Sequence, residues 1–202
     1  MQETNFMKLQ RILSENSGFI TRKQVDEAGI PSWFLTDFVR RNSLQKIDKG
    51  FYADQDWMRD EFLVFQYKYP KFIFSCQSAL FLHGLTDVLP ELLEVTGPKN
   101  YRPFRPNNRV LIHTDSNDEI YQLGIVETET NLGNSVKVYD IEKMVCDFVK
   151  MSNRVDSEIF GKALRAYAKF KKKNTRMLME YAQKMGIEQK MNYFMQVLLN
   201  ED

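Results

Sequence analysis

Histidine and cysteine are nearly absent, two of each in 202 residues. Cys76 and Cys146 stand far apart, each inside an apolar run, the setting of reduced core thiols and not of a zinc framework. His83 and His113 are equally separated, and Asp87 from His83 is the one ligand type at helical spacing from either. In Leu-His-Gly-Leu, His83 reads as a helix-end residue bonded to a backbone oxygen. No metal and no cofactor are expected. No segment approaches the roughly 18 uninterrupted apolar residues of a membrane span. Residues 1–5 carry no basic-then-apolar signal pattern, so no membrane partner and a cytoplasmic location are expected. The chain also lacks a phosphate-cradling glycine loop, a nucleophile elbow and a metalloprotease helix, so catalysis is not expected. Glu127 and Glu129 alternate with Thr128 and Thr130, but a nuclease would need a basic partner that is missing, and a solvent-facing strand explains them better.

Net charge is scarce too, at +1, but it is unevenly spread. Residues 1–53 carry 8 Lys/Arg against 6 Asp/Glu, residues 54–153 carry 10 against 15, and residues 154–202 carry 10 against 6. Basic ends around an acidic middle suit a protein that meets nucleic acid at its ends.

The N-terminal residues supply a definite pattern. Phe6, Leu9, Ile12 and Leu13 recur at three- and four-residue intervals and predict an amphipathic helix over 4–15, ended by Gly18. Thr21 and Gln24 form a capping box for a short helix with Val25 and Ala28 inward and Gly29 at its end. Pro31 fits the first turn of a helix over 31–42 that buries Leu35, Phe38 and Val39. Two β-prone runs, 44–47 and 51–53, then flank Asp48-Lys49-Gly50, a three-residue hairpin loop with glycine where φ must be positive. Two helices joined by a glycine turn, followed at once by a hairpin, predict a winged helix-turn-helix.

In that geometry the second helix enters the major groove of DNA. Ser32, Trp33 and Thr36 are assigned to base edges, and Arg40 and Arg41 to bases or backbone. Thr21, Arg22 and Lys23 sit at a helix N-terminus that favours a phosphate. Lys46 and Lys49 on the wing would follow the backbone or the adjacent minor groove. Plain solvation also gives an exposed basic face, Trp33 could belong to a core beneath the wing, and winged helices also dock proteins.

The run from Gly18 to Val25, then Ala28-Gly-Ile, then Leu44 to Tyr52, resembles the N-terminal domain of the AbiEi antitoxin family. Ser75-Cys-Gln-Ser-Ala-Leu-Phe-Leu-His-Gly-Leu-Thr-Asp with Pro90 and Glu94-Val-Thr-Gly-Pro, and Val138-Tyr-Asp-Ile-Glu-Lys-Met-Val-Cys-Asp, are similar to its later blocks. The resemblance implies an autorepressor that binds inverted repeats in its own promoter. It further implies an antitoxin that counteracts a nucleotidyltransferase-type toxin in bacterial abortive infection, a phage defence. The rival reading is a protein-interaction module without specific DNA binding.

The remainder predicts a helix through Phe62, Phe65, Tyr67 and Tyr69, a strand at 72–75 and a helix at 75–85. Strands follow at 92–96, 110–114, 120–128 and 135–139, with loops at 98–108 and 115–118. Helices are expected after Asp140, at 156–172, at 174–185 and at 188–199. The fold class is α+β: a winged helix-turn-helix over 1–55, then a larger mixed α/β domain over 56–202 whose part from about 140 is helical. Between residues 162 and 176 lie seven positive residues and no acid: Lys162, Arg165, Lys169, Lys171, Lys172, Lys173 and Arg176. They form a candidate patch for nucleic acid or an acidic partner, or a solvated helix end.

Overall fold

Thr4 opens the first helix by accepting the Met7 N–H, and α1 (Asn5–Glu15) follows the predicted apolar spacing. Leu9 and Leu13 are buried, whereas Phe6 keeps 40% of its surface exposed while its ring meets the edge of Phe38. Ser17 and Gly18 take positive φ and turn the chain into β1 (Phe19–Thr21), a strand that the sequence did not signal. All three of its residues are buried, so no alternation marks it. The capping box of α2 (Arg22–Glu27) is complete, and Gly29 follows at φ +68°. Pro31 is the N-cap of α3 (Ser32–Arg41) and not part of its first turn; its extended ψ of 142° is what a cap requires.

The hairpin joins β2 (Gln45–Asp48) to β3 (Phe51–Ala53), and the sheet order is β1-β3-β2, antiparallel throughout. Its loop differs from the three-residue expectation. Asp48 pairs with Phe51, leaving Lys49 and Gly50 (φ +74°) as the turn, and the register shifts between Lys46 and Asp48. Leu9, Leu13, Ile20, Val25, Ile30, Leu35, Phe38 and Leu44 form the core. Each such side chain contributes about 1.5–3 kcal/mol on burial.

The computed structural model describes residues 3–103, 109–115 and 117–199. Positions 104–108 of the expected 98–108 loop, and position 116 of the 115–118 loop, lie outside the described residues. The chain divides into two compact units, Met1–Val64 and Phe65–Asp202, and the division falls inside α4 (Glu61–Lys68). Buried Asp60 caps that helix, its carboxylate accepting the Phe62 and Leu63 N–H groups.

The second unit is built on a mixed five-stranded sheet, in the order β6-β5-β4-β8-β7. Its elements run β4 (Ile73–Phe74), α5 (Cys76–Leu82), β5 (Leu93–Gly97), β6 (Val110–Thr114), α6 (Asp118–Gln122), β7 (Ile125–Glu129) and β8 (Ser135–Tyr139). Strand β5 pairs antiparallel with β4 and parallel with β6; β8 pairs parallel with β4 and antiparallel with β7. The strand expected at 120–128 is therefore two elements. Asn117 caps α6 by accepting the Ile120 N–H, which makes 118–122 helical, and the strand begins only after Gly124 at φ +67°.

Four helices close the chain: α7 (Ile141–Lys150), α8 (Ser157–Lys169), α9 (Thr175–Lys184) and α10 (Glu188–Leu199). Asp140, Asp156 and Asn174 cap the first three by side-chain hydrogen bonds. Helix α8 stops at Lys169, three residues before the expected end at 172, because Phe170 turns extended at ψ 115°. Helix α7 is buried along the whole of 142–149, charged residues included, and packs against α5, α8, α9 and α10. The described residues thus form a mixed α/β protein with two sheets.

Candidate nucleic-acid interface

Helix α3 presents one face outward because Leu35 and Phe38 hold the other in the core. Ser32, Trp33, Thr36, Arg40 and Arg41 all lie on the exposed side. Trp33 is 62% exposed, so it is no part of a core, and it stacks on Phe34 with centroids 3.7 Å apart. Asp37, on the same helix, clamps both arginines: Arg40 reaches one carboxylate oxygen at 2.8 Å and Arg41 the other at 2.6 Å. The hydrogen bond from Arg40 is the main reason the Asp37 carboxyl titrates below its ordinary range. The guanidinium groups are therefore accessible but partly neutralised by a neighbour. The spacing of Asp37 before Arg40 and Arg41 was visible as three- and four-residue pairs, the separation at which helical side chains meet.

The hairpin lysines, Lys46 and Lys49, are exposed. The start of α2 differs from expectation. Thr21 is buried, its hydroxyl accepting the Gln24 N–H and bonded to the Gln24 side chain, so it offers nothing to a phosphate. The Arg22 N–H donates to the Gly50 carbonyl at 2.7 Å, which occupies a second donor of that helix start. An anion site there is thus mostly filled by the protein itself. The Arg22 and Lys23 side chains remain at the surface, in ion pairs with Asp26 at 2.7 Å and Glu27 at 3.7 Å.

The basic residues of 162–176 do not share one helix. Lys162, Arg165 and Lys169 are on α8, Lys171, Lys172 and Lys173 fall in the turn after it, and Arg176 starts α9. All are exposed. Lys162 pairs with Glu158 at 2.6 Å and Arg176 with Glu180 at 3.0 Å, while the Lys173 ammonium donates to the Ala168 carbonyl.

Two polar clusters inside the second unit escaped sequence reading. In one, the fully buried Lys143 ammonium meets Asp115 at 3.1 Å and Asp147 at 2.7 Å, and Lys150 holds the other Asp115 oxygen at 3.1 Å. Burial is the main cause raising the Asp147 carboxyl to about 6, against the lowering pull of Lys143. Asp147 also lines a cavity of about 470 Å³ with Thr96, His113, Lys150 and Arg154. The clue was Lys143 and Asp147 one turn apart, with Lys150 a further turn on, in a helix whose other buried positions are mostly apolar. In the other cluster, Cys76, Glu94 and His113 bring a sulfur, a carboxylate oxygen and a ring nitrogen within 4.8 Å of one another. That contrasts with the expectation of no ligand grouping, which followed separations along the chain. Both cysteines are free and buried, and burial pushes the Cys76 thiol well up. His83, at the end of α5, bonds the Tyr139 backbone oxygen at 2.7 Å, in keeping with its expected role. Glu127 and Glu129 are exposed on β7, an end strand of the sheet.

A family model described as "Transcriptional regulator, AbiEi antitoxin" matches residues 7–53, the stretch from α1 through β3. This supports the resemblance read from residues 18–52. The later blocks, from Ser75 and from Val138, lie beyond the matched residues. No curated protein matches the chain. Among the described residues, no helix is long and apolar enough to cross a membrane.

Proposed function

We propose that the N-terminal unit, whose residues 7–53 match the model of AbiEi antitoxin transcriptional regulators, works as a winged helix-turn-helix that represses its own promoter. Helix α3 is the recognition helix and the β2–β3 hairpin is the wing. The observation that carries this reading is the exposed face of α3, with Ser32, Trp33 and Thr36 toward its N-terminal end and Arg40 and Arg41 at its C-terminal end. An α-helix fits the major groove of B-DNA, and arginine suits both a guanine edge and a phosphate. Lys46 and Lys49 add backbone contacts beside it. The second unit, on the same family reading, counteracts a nucleotidyltransferase-type toxin in abortive infection; the protein acts in the cytoplasm and is not an enzyme.

The test is a gel shift with the duplex upstream of the gene. Replacing Arg40 and Arg41 together with alanine abolishes the specific complex, while far-UV circular dichroism stays unchanged. Asp37→Asn, which frees both guanidinium groups, tightens binding a few-fold. Binding by the wild type falls steeply with added salt, because each neutralised phosphate releases counterions. Unchanged affinity in the double variant overturns the proposal.

A second reading rests on Trp33. An aromatic ring 62% exposed is a common anchor of protein interfaces. If α3 docks a protein instead, Trp33→Ala abolishes partner capture, and no footprint forms on DNA.

A further inference from the structure

We infer that Cys76, Glu94 and His113 form a binding site for one thiophilic divalent cation of the zinc class. The three residues come from different elements that the fold must bring together. Strand β5 supplies Glu94 and β6 supplies His113, which faces the sheet on the same side because Thr96 and His113 are register partners and Glu94 lies two residues before Thr96. Helix α5 begins at Cys76 and packs on β5. The Ser75 N–H donates to the Glu94 carbonyl at 3.0 Å and the Glu94 N–H to the Ser78 hydroxyl at 2.8 Å, which pins the helix start against the strand.

Ligand type and burial then decide what fits. With bonds of about 2.3 Å to sulfur and 2.0–2.2 Å to nitrogen and oxygen, tetrahedral zinc needs its ligand atoms about 3.5 Å apart. The three atoms lie within 4.8 Å of one another, and the His113 Nε2 is already 3.1 Å from a Glu94 oxygen. Small side-chain rotations close the rest. Cys76 and Glu94 are buried, at 1% and 5% exposure. A dication there is neutralised by one thiolate and one carboxylate with a neutral imidazole, so no net charge is buried. The thiol proton leaves to solvent as the sulfur–metal bond forms. Calcium and magnesium prefer all-oxygen shells, and a sulfur with an imidazole selects zinc, cobalt or copper(I) instead.

Two further observations point the same way. Cys76 holds φ at +47°, a strained conformation for a residue with a side chain, and such strain collects where a side chain must be aimed. The Gln77 side chain donates to the Glu94 oxygen that His113 leaves, the kind of outer contact that orients a ligating carboxylate. Among the described residues no fourth histidine, cysteine or carboxylate joins the group. Glu94 lines a cavity of about 350 Å³ and His113 a separate one of about 470 Å³, so solvent reaches two of the three ligands.

The experiment titrates the full chain, stripped with a chelator, with cobalt(II). A sulfur-to-cobalt charge-transfer band in the near ultraviolet, with strong visible bands, is expected to saturate at one equivalent and to vanish on adding zinc. Cys76→Ser abolishes the charge-transfer band, and His113→Ala weakens cobalt binding at least about tenfold. No such band in the wild type overturns the proposal, as does a band that survives Cys76→Ser and so belongs to Cys146. Circular dichroism checks each variant. Should Cys76→Ser fail to fold, His113→Ala decides, since His113 is partly exposed: an unchanged cobalt titration overturns the site.

Discussion

The two units treat charge in opposite ways. In Met1–Val64 the arginines and lysines of α2 and α3 stay at the surface and pair with carboxylates one turn away. Buried charge among the described residues there is confined to Asp60, a helix cap. In Phe65–Asp202, Glu94, Asp115, Glu142, Lys143 and Asp147 are all buried. The difference has a physical consequence. Exposed pairs contribute roughly 0–1 kcal/mol and exchange partners readily, which on the proposed reading suits groups that let go of one carboxylate to take a phosphate. Buried pairs are held by the high cost of leaving one partner alone.

The strongest way to break this comparison is Lys143→Met, which takes from buried Asp147 its ion-pair partner and leaves Asp115 with Lys150 alone. A loss of about 3–5 kcal/mol is expected. Both tryptophans, Trp33 and Trp57, lie in the first unit, so their emission reports that unit alone. In urea the far-ultraviolet dichroism transition moves to lower denaturant while the tryptophan transition stays in place. A common shift would show that the two units unfold as one.

A smaller effect comes from pH. Burial raises Asp147 to about 6, above its ordinary 3.8. The folded chain then keeps a proton that the unfolded chain has already lost, so this contribution to stability is full below about pH 4 and disappears as pH rises to about 6. Asp147→Asn removes that decline. Relative to wild type, the variant gains on the order of 2 kcal/mol between pH 4 and pH 7, read from urea midpoints. A constant difference across that range would show that Asp147 titrates as an ordinary carboxylate.

The smallest effect sharpens the other side. Thr21→Ala removes the hydroxyl that accepts the Gln24 N–H, leaves the return bond from the residue 21 N–H to the Gln24 side chain, and costs the first unit about 1 kcal/mol, read by the tryptophan transition.

The same contrast explains what the sequence made legible. Capping residues Thr21, Asp140, Asp156 and Asn174, and the turn glycines Gly29 and Gly50, act on neighbours within a few positions, so their structures could be read directly. The outward face of α3 followed from the spacing of Leu35 and Phe38. Strand β1 was invisible because both its faces are covered, and 120–122 was taken for strand because Ile120 and Tyr121 are as suited to a sheet as to the short helix that Asn117 caps. The clusters around Lys143 and Cys76 were hidden for a different reason. Their partners are separated by 28 positions for Lys143 and Asp115 and by 19 for His113 and Glu94, and only the packing of helices on the paired strands brings them close.

The bond from the Arg22 N–H to the Gly50 carbonyl, with the β1–β3 pairing beside it, fastens the hairpin tip to the helix that precedes α3. If that hairpin is the proposed wing, it works as a fixed jaw and not a swinging arm. On the proposed reading, the span from Lys49 to the α3 face is a caliper set before any duplex arrives. DNA whose grooves already match that opening is gripped without distortion, and stiffer or wider sequences must bend to it, so part of the operator's identity would be written in its shape.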